Sequence, residues 1–218
     1  SMLGRSITRN SILLAIFAAC TTALIAGTHL LTKDDIAEQK RLAEEKALLQ
    51  IVPRSRHDNS MLDDTIAVGP QDVELGLRVD KQIYVARQNG EVVAVIIPAV
   101  ARDGYTGDIE LIVGVNRDGT IAGVRALAQR ETPGLGDKVD LKKSDWMLGF
   151  NGRSLQNPTL SGWAVKKDKG IFDQFTGATI TPRAVVAAIL RVLQFAEKNR
   201  ESLFDTGDTN IAPTGDDT

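Results

Sequence analysis

KQIYVARQNGEVVAVII, residues 81–97, sets the architecture. Runs rich in Ile, Val and Tyr flank Asn89-Gly90, a dipeptide that accepts the positive φ of a tight turn, so the segment predicts a β-hairpin. Residues 109–127, IELIVGVNRDGTIAGVRAL, repeat the pattern around Asp118-Gly119, and the two hairpins together predict four antiparallel strands. The apolar period then changes. In PRAVVAAILRVLQFAEKNR, residues 182–200, Val185, Val186, Ile189, Leu190, Leu193 and Ala196 share one helical face, while Arg183, Arg191, Gln194 and Lys198 share the other. The expected fold class is α+β: antiparallel β-hairpins packed with helices.

Upstream of the hairpins the chain changes character. Between Arg9 and Lys33 lie 23 residues without a formal charge, NSILLAIFAACTTALIAGTHLLT, enough at about 1.5 Å per residue to cross a hydrocarbon core of roughly 30 Å. They predict one transmembrane helix. A cleaved signal peptide is the competing reading, but the apolar run is long for one. Lipidation at Cys20 is another, set against the simpler role of a small apolar helix residue. Basic residues flank both ends, Arg5 and Arg9 before and Lys33, Lys40, Arg41 and Lys46 after, so charge bias alone does not orient the span. The very short N-terminal arm favours a cytoplasmic start and a soluble domain outside.

Thr32 is a candidate N-cap for KDDIAEQKRLAEEKALLQIV, a helix continuing or stacked on the span. Residues 53–69 are polar and irregular and read as a linker. The expected organisation is an arm and transmembrane helix over 1–32, a juxtamembrane helix and linker over 33–69, the main domain over 70–202, and a disordered tail over 203–218. A short helix near 141–148 and a strand near 163–166 are expected between the hairpins and the last helix.

Composition narrows the chemistry. The chain has 218 residues, a net charge of −2 and 43% hydrophobic content, which suits one domain plus an extra segment and gives no sign of nucleic-acid binding. Its one cysteine, Cys20, and its two histidines, His29 and His57, all precede residue 58. The rest of the chain therefore lacks the side chains for a Ser-His-Asp triad, a catalytic thiolate, an iron–sulfur cluster or a His/Cys zinc site. Redox chemistry there requires an organic cofactor; no catalytic residue and no metal ligand is assigned.

Two stretches have the makings of a site. In DQFTGATITP, residues 173–182, Thr181 and Pro182 read as an N-cap and first helical residue, which would turn unpaired N–H groups towards Thr176, Gly177, Ala178 and Thr179. Such an end attracts phosphate, although threonines that merely cap the helix and a glycine that merely turns satisfy the same residues. ETPGLG, Glu131 to Gly136, has glycines that let backbone approach a flat ligand, a Leu135 able to pack on a ring and a Thr132 able to donate, or it is a plain loop. Its glycine spacing matches neither a Walker loop nor a dinucleotide fingerprint.

Together these stretches resemble a known pattern. DQFTGATITP resembles the flavinylation motif Asp-x-x-(Ser/Thr)-Gly-Ala-Thr of the FMN-binding domain family, whose other marks, an ETPGLG loop and a GYTG turn, match 131–136 and 104–107. With the N-terminal span and the basic VKKDKG approach, residues 2 to 200 are similar to the G subunit of the Rnf (Rsx) electron transport complex. The resemblance implies FMN joined through a phosphoester to Thr179. Around the cofactor it implies Thr176, Gly177, Ala178, Ile180 and Thr181, the loop residues Glu131, Thr132, Pro133, Gly134, Leu135 and Gly136, and Lys166. Asp173 would belong to recognition by a flavin transferase that uses FAD and magnesium. The implied partners are that transferase, the other subunits of a membrane electron transport complex, and the membrane itself.

The implied role is an electron relay on a bacterial inner membrane, single-pass with the FMN domain on the periplasmic side, within a complex coupling ferredoxin:NAD oxidoreduction to ion translocation. Alone it would complete no reaction. Three other roles remain: a component like the C subunit of the sodium-translocating NADH:quinone reductase, an unflavinylated periplasmic scaffold or sensor, and a hydrolase using Thr179, which lacks a histidine or cysteine base.

Overall fold

The computed structural model describes residues 2–205, and within it the chain divides into two compact units, Ser1–Glu44 and Glu45–Thr218. The described residues of the first unit are all helical. They form most of α1, Met2–Ile51, and among the described residues this is the one helix long and apolar enough to cross a membrane. Its large side chains, such as Leu14, Phe17 and Leu31, are exposed all round the helix. Thr21, Thr22, Thr28 and Thr32 each donate a hydroxyl to the carbonyl four residues earlier, at 2.8 Å, so these four hydroxyls are satisfied within the helix. Thr32 is thus an interior residue and not the N-cap expected of it; the helix runs straight through it, because nothing in 28–36 breaks the backbone ladder.

The second unit is built on a five-stranded antiparallel sheet in the order β1-β2-β3-β4-β5, with β1 Thr65–Val68, β2 Lys81–Gln88, β3 Glu91–Ala101, β4 Ile109–Asn116 and β5 Ile121–Ala128. Both hairpins are present. They turn differently: Asn89 and Gly90 both have positive φ, 53° and 83°, whereas after β4 only Gly119 does, at 85°. There Gly119 N–H donates to the Asn116 carbonyl and Asp118 accepts from Thr120 N–H and hydroxyl, giving a short loop whose glycine is left-handed. Pro98 has no N–H to offer, and the β2–β3 ladder stops at Ile96 before reaching it.

The fifth strand corrects the linker assigned to 53–69. Residues 65–68 pair with β2 from Thr65↔Tyr84 to Val68↔Lys81, and four residues are too few for a periodic signal. Residues just before this strand close one face of the sheet: Leu48, Ile51, Val52 and Met61 pack with Ala86, Ala94, Ile96 and Ile112. Residues 45–69 therefore belong with the main domain and not with a separate juxtamembrane piece. The other face packs on α2, Ile180–Lys198, so β3 is buried on both sides and reads as an almost unbroken apolar run.

Three smaller expectations are also revised. The helix expected near 141–148 is a 3-10 turn, Asp145–Phe150, capped by Ser144, and the strand expected near 163–166 is only a bridge between Val165 and Phe172. The helix α3, Arg200–Phe204, buries Leu203 and Phe204 in the core, so the first residues of the expected tail belong to the domain. The rest of that tail, 206–218, lies outside the described residues.

The last residue of α1 lies close against the sheet. A Cβ added at Gly114 would collide with Ile51 Cγ2 and stand 3.2 Å from Ala122 Cβ. Gly114→Ala in the full chain in detergent should cost about 1–3 kcal/mol in chemical denaturation, the usual toll of overpacking. Combined with Ile51→Ala it should cost less than the sum of the single variants, because the second change vacates the space the first one needs.

Candidate functional site

Glu131, the first residue of ETPGLG, is turned inward and is only 4% exposed. Its carboxyl group accepts from Tyr105 N–H at 3.2 Å, from Thr106 N–H at 3.1 Å and from the hydroxyl of Thr181, while the Thr106 hydroxyl, 3.0 Å away, has its shorter bond to the Arg130 carbonyl. One side chain thus joins the 104–107 turn, the 131–136 loop and the start of α2. Two glycines make room for it. A Cβ at Gly136 would lie 2.8 Å from both Glu131 Cβ and Thr181 Oγ1, and one at Gly104 would collide with the Gly107 carbonyl and stand 3.0 Å from Glu131 Oε1. The resemblance implies Glu131 beside a cofactor; in the folded chain its oxygens accept from the protein's own donors.

The loop beyond Glu131 is shaped by its own backbone. Leu135 and Gly136 N–H both donate to the Thr132 carbonyl at 3.1 Å, and Gly134, at φ 77°, donates to Asp137 Oδ1 at 2.8 Å. Asp137 is buried and is absent from the residues that the sequence marks for a site; an acid just beyond a glycine-rich loop, in reach of its free N–H groups, is the available signal. Pro133, Gly134 and Leu135 are left outermost at the tip, Leu135 exposed by 40%.

Residues 175–179 form the facing turn. Ala178 N–H donates to the Phe175 carbonyl at 3.1 Å, and Gly177 at φ 80° takes the left-handed position that glycine adopts without penalty. A Cβ on Gly177 would lie 3.4 Å from Leu135 Cδ2, so the two stretches with the makings of a site meet. Thr176, Gly177 and Ile180 are exposed, and Ala178 and Thr179 half-buried.

The helix begins earlier than expected. Its first residue is Ile180 and its N-cap position is Thr179, whose side chain makes no capping hydrogen bond. Thr181, expected as the cap, is fully buried inside the first turn with its hydroxyl committed to Glu131, and Pro182 follows it where a missing N–H costs nothing. The residue at the head of the helix is therefore Thr179, with its hydroxyl not spent on the cap.

Aromatic packing holds this turn in place. Trp146 meets Phe150 and Phe175 edge-on at 5.1 and 4.9 Å, Phe172 stacks on Phe150 at 4.6 Å, and Trp146 Nε1 donates to the Asp173 carbonyl at 2.9 Å. Charges surround it. Lys166, expected beside a ring, pairs with Asp173 at 2.6 Å, and Lys138 Nζ lies 5.9 Å from the centre of Phe175. Arg183 holds Asp168 through two bonds of 2.6 and 2.7 Å, and that guanidinium keeps the Asp168 carboxyl below the usual carboxylate range. These pairs are exposed and contribute little to stability.

The Glu131 clamp is different, being buried. Glu131→Gln in the full chain should lower unfolding stability by about 2 kcal/mol, because an amide NH2 then faces donors, and Thr181→Val should cost a comparable amount by leaving one Glu131 oxygen short of a donor. Urea titration followed by tryptophan fluorescence in detergent measures both.

These elements recur in known proteins. A family model described as FMN-binding domain matches residues 104–194, from the Glu131-bound turn through most of α2, and one described as RnfG N-terminal region matches 2–51, the whole of α1. The G subunit of the ion-translocating oxidoreductase complex of Vibrio atlanticus is 47% identical over 198 residues, covering 91% of this chain and 94% of that protein. The protein of the same name from Pseudomonas aeruginosa is 48% identical over 199 residues, covering 91% and 92%. A crystal structure of the C subunit of the sodium-translocating NADH-quinone reductase from Parabacteroides distasonis is 20% identical with a TM-score of 0.44, covering 71% of this chain and 94% of that one. On identity and coverage with the Vibrio and Pseudomonas proteins, the chain belongs to the family of G subunits of ion-translocating oxidoreductase complexes.

Proposed function

We propose that this chain is a membrane-anchored flavoprotein subunit that relays electrons through FMN esterified to Thr179, within a complex coupling ferredoxin:NAD oxidoreduction to ion translocation. Family membership supports the coarser part of this reading, an electron-transfer subunit with an FMN-binding domain. The observation that carries the finer part is the placement of Thr179: half-buried at the head of α2, its hydroxyl making no capping bond, beside a glycine turn and the exposed Leu135.

The residues fit the cofactor by size and charge. Phosphate suits the first turn of α2, where the leading backbone N–H groups have no partner in the helix. Leu135 and the open Gly134 tip offer an apolar and sterically free approach for a flat ring system, since nothing lies within 4 Å of a Cβ built on Gly134. When bound, FMN supplies reversible uptake of electrons, which no side chain after residue 58 could supply. In maturation the Thr179 oxygen forms the new bond to phosphorus and loses its proton; the diphosphate bridge of FAD breaks and AMP departs with the bridging oxygen. A transferase performs this step once, and Asp173, exposed three residues before Thr176, is available to it.

The neighbouring positions take supporting roles. Thr176, Gly177, Ala178 and Ile180 form the turn that presents Thr179; Thr132, Pro133, Gly134, Leu135 and Gly136 form the facing loop. Glu131 and Thr181 join the two from beneath. Lys166 is tied to the site through its pair with Asp173.

Peptide mass spectrometry of the chain co-expressed with a flavin transferase tests the reading. The peptide containing Thr179 should gain the mass of FMN less water, and Thr179→Ala should remove the gain while the chain stays folded. An unmodified peptide in folded protein would turn the assignment to a scaffold. For topology, Thr214→Cys in a Cys20→Ala background should react with a membrane-impermeant thiol reagent in intact cells; protection there would place the domain in the cytoplasm.

A further inference from the structure

We infer that the basic rim around the Thr179 turn is a docking surface for a protein partner that presents an acidic face around its own electron-transfer group. The inference rests on the function proposed above and adds the chemistry of the partner. Over residues 130–183 the chain carries nine basic and six acidic residues, while the remainder carries seventeen basic and twenty-two acidic. The positive excess is therefore local, in a protein whose net charge is −2.

Burial sharpens it. Two of the six acids, Glu131 and Asp137, point into the protein and are 4% and 8% exposed. Asp168 and Asp173 are paired with Arg183 and Lys166, and Asp140 and Asp145 flank Lys142 and Lys143. That leaves seven of the nine bases without an acidic partner among the described ion pairs, and three of these lie at the turn: Lys138, against the Phe175 ring, and the exposed Lys167 and Lys169. All three are tied to the turn: Lys138 through Phe175, Lys167 through its N–H bond to Gln174 at 3.2 Å, and Lys169 through the 3-10 turn Lys166–Asp168 that it closes.

A phosphodiester at Thr179 would carry one negative charge, fewer than the positive charges of the three lysines, so the surface around the turn would stay positive. Such a surface accelerates encounter with an acidic partner through long-range attraction, and the acceleration fades once salt shortens the Debye length to about 8 Å or less. Anionic lipid is the competing source of negative charge.

The test uses membranes containing the assembled complex, with NADH as electron source and the flavin signal of this chain taken as the difference from Thr179→Ala membranes. The variant is Lys167→Glu with Lys169→Asn; Lys169 has φ 68°, a conformation that asparagine tolerates. The wild-type rate of flavin reduction should fall as KCl rises, and the variant should be about tenfold slower at low salt with a flattened salt dependence. Equal rates and equal salt slopes would overturn the inference. So would a variant that carries no flavin, since the rim would then serve loading. Loss of the wild-type salt slope after reconstitution in uncharged phosphatidylcholine would overturn it in favour of lipid. A wild-type chain without flavin at Thr179 would instead sink the proposed function, which keeps the two failures distinct.

Discussion

A single buried carboxyl group organises the site. Glu131 gathers donors from the turn after β3 and from a residue inside α2, almost wholly out of reach of solvent, and each donor comes from a segment distant in sequence. Burying such a group without partners would be costly, so each donor matters: removing one leaves the carboxyl group short of a partner in the interior. Around this point the glycines find their reason. Gly136 is small because Glu131 and Thr181 fill the space where a Cβ would stand, and Gly104 because the Gly107 carbonyl does, whereas Gly134 and Gly177 are needed for left-handed backbone at the exposed tips.

The clamp works from below and the aromatic residues work from the side. Residues 145–178 contain little regular structure: short 3-10 turns and isolated bridges. What fixes them is the packing of Trp146, Phe150, Trp163, Phe172 and Phe175 on one another and on the core, with Trp163 Nε1 bonded to the Ser154 carbonyl at 3.0 Å. An irregular segment so held can present a turn at the surface without the backbone ladder that a strand would require. It also carries much of the local positive charge, so rigidity and electrostatics reach the same surface through one stretch of chain.

The two faces of the sheet divide the work of the domain. On one, α2 both completes the main core and points its first turn at the Thr179 region; on the other, the end of α1 and the 52–62 segment complete a second cluster. The last turn of α1 is thereby part of the domain itself, with Ile51 lodged over Gly114.

How much of this is legible in the residues depends on the range of the interaction. The two hairpins, the apolar span and the amphipathic α2 follow from turn dipeptides and from periods of two and of 3.6, and the pairing of ETPGLG with TGAT as one site follows from resemblance. Long-range contacts settle the rest. The strand at 65–68 exists because β2 offers it an edge, and the start of α2 shifts to Ile180 because Thr181 is drawn inward by a carboxyl group 50 residues away. Periodicity reports which side of an element is buried; it does not report which distant donor will find a given acceptor. Glu131 therefore reads in its motif only as a residue of the cofactor loop and is seen, on folding, to be the acceptor at the centre of the site, because only the folded chain brings its donors within reach.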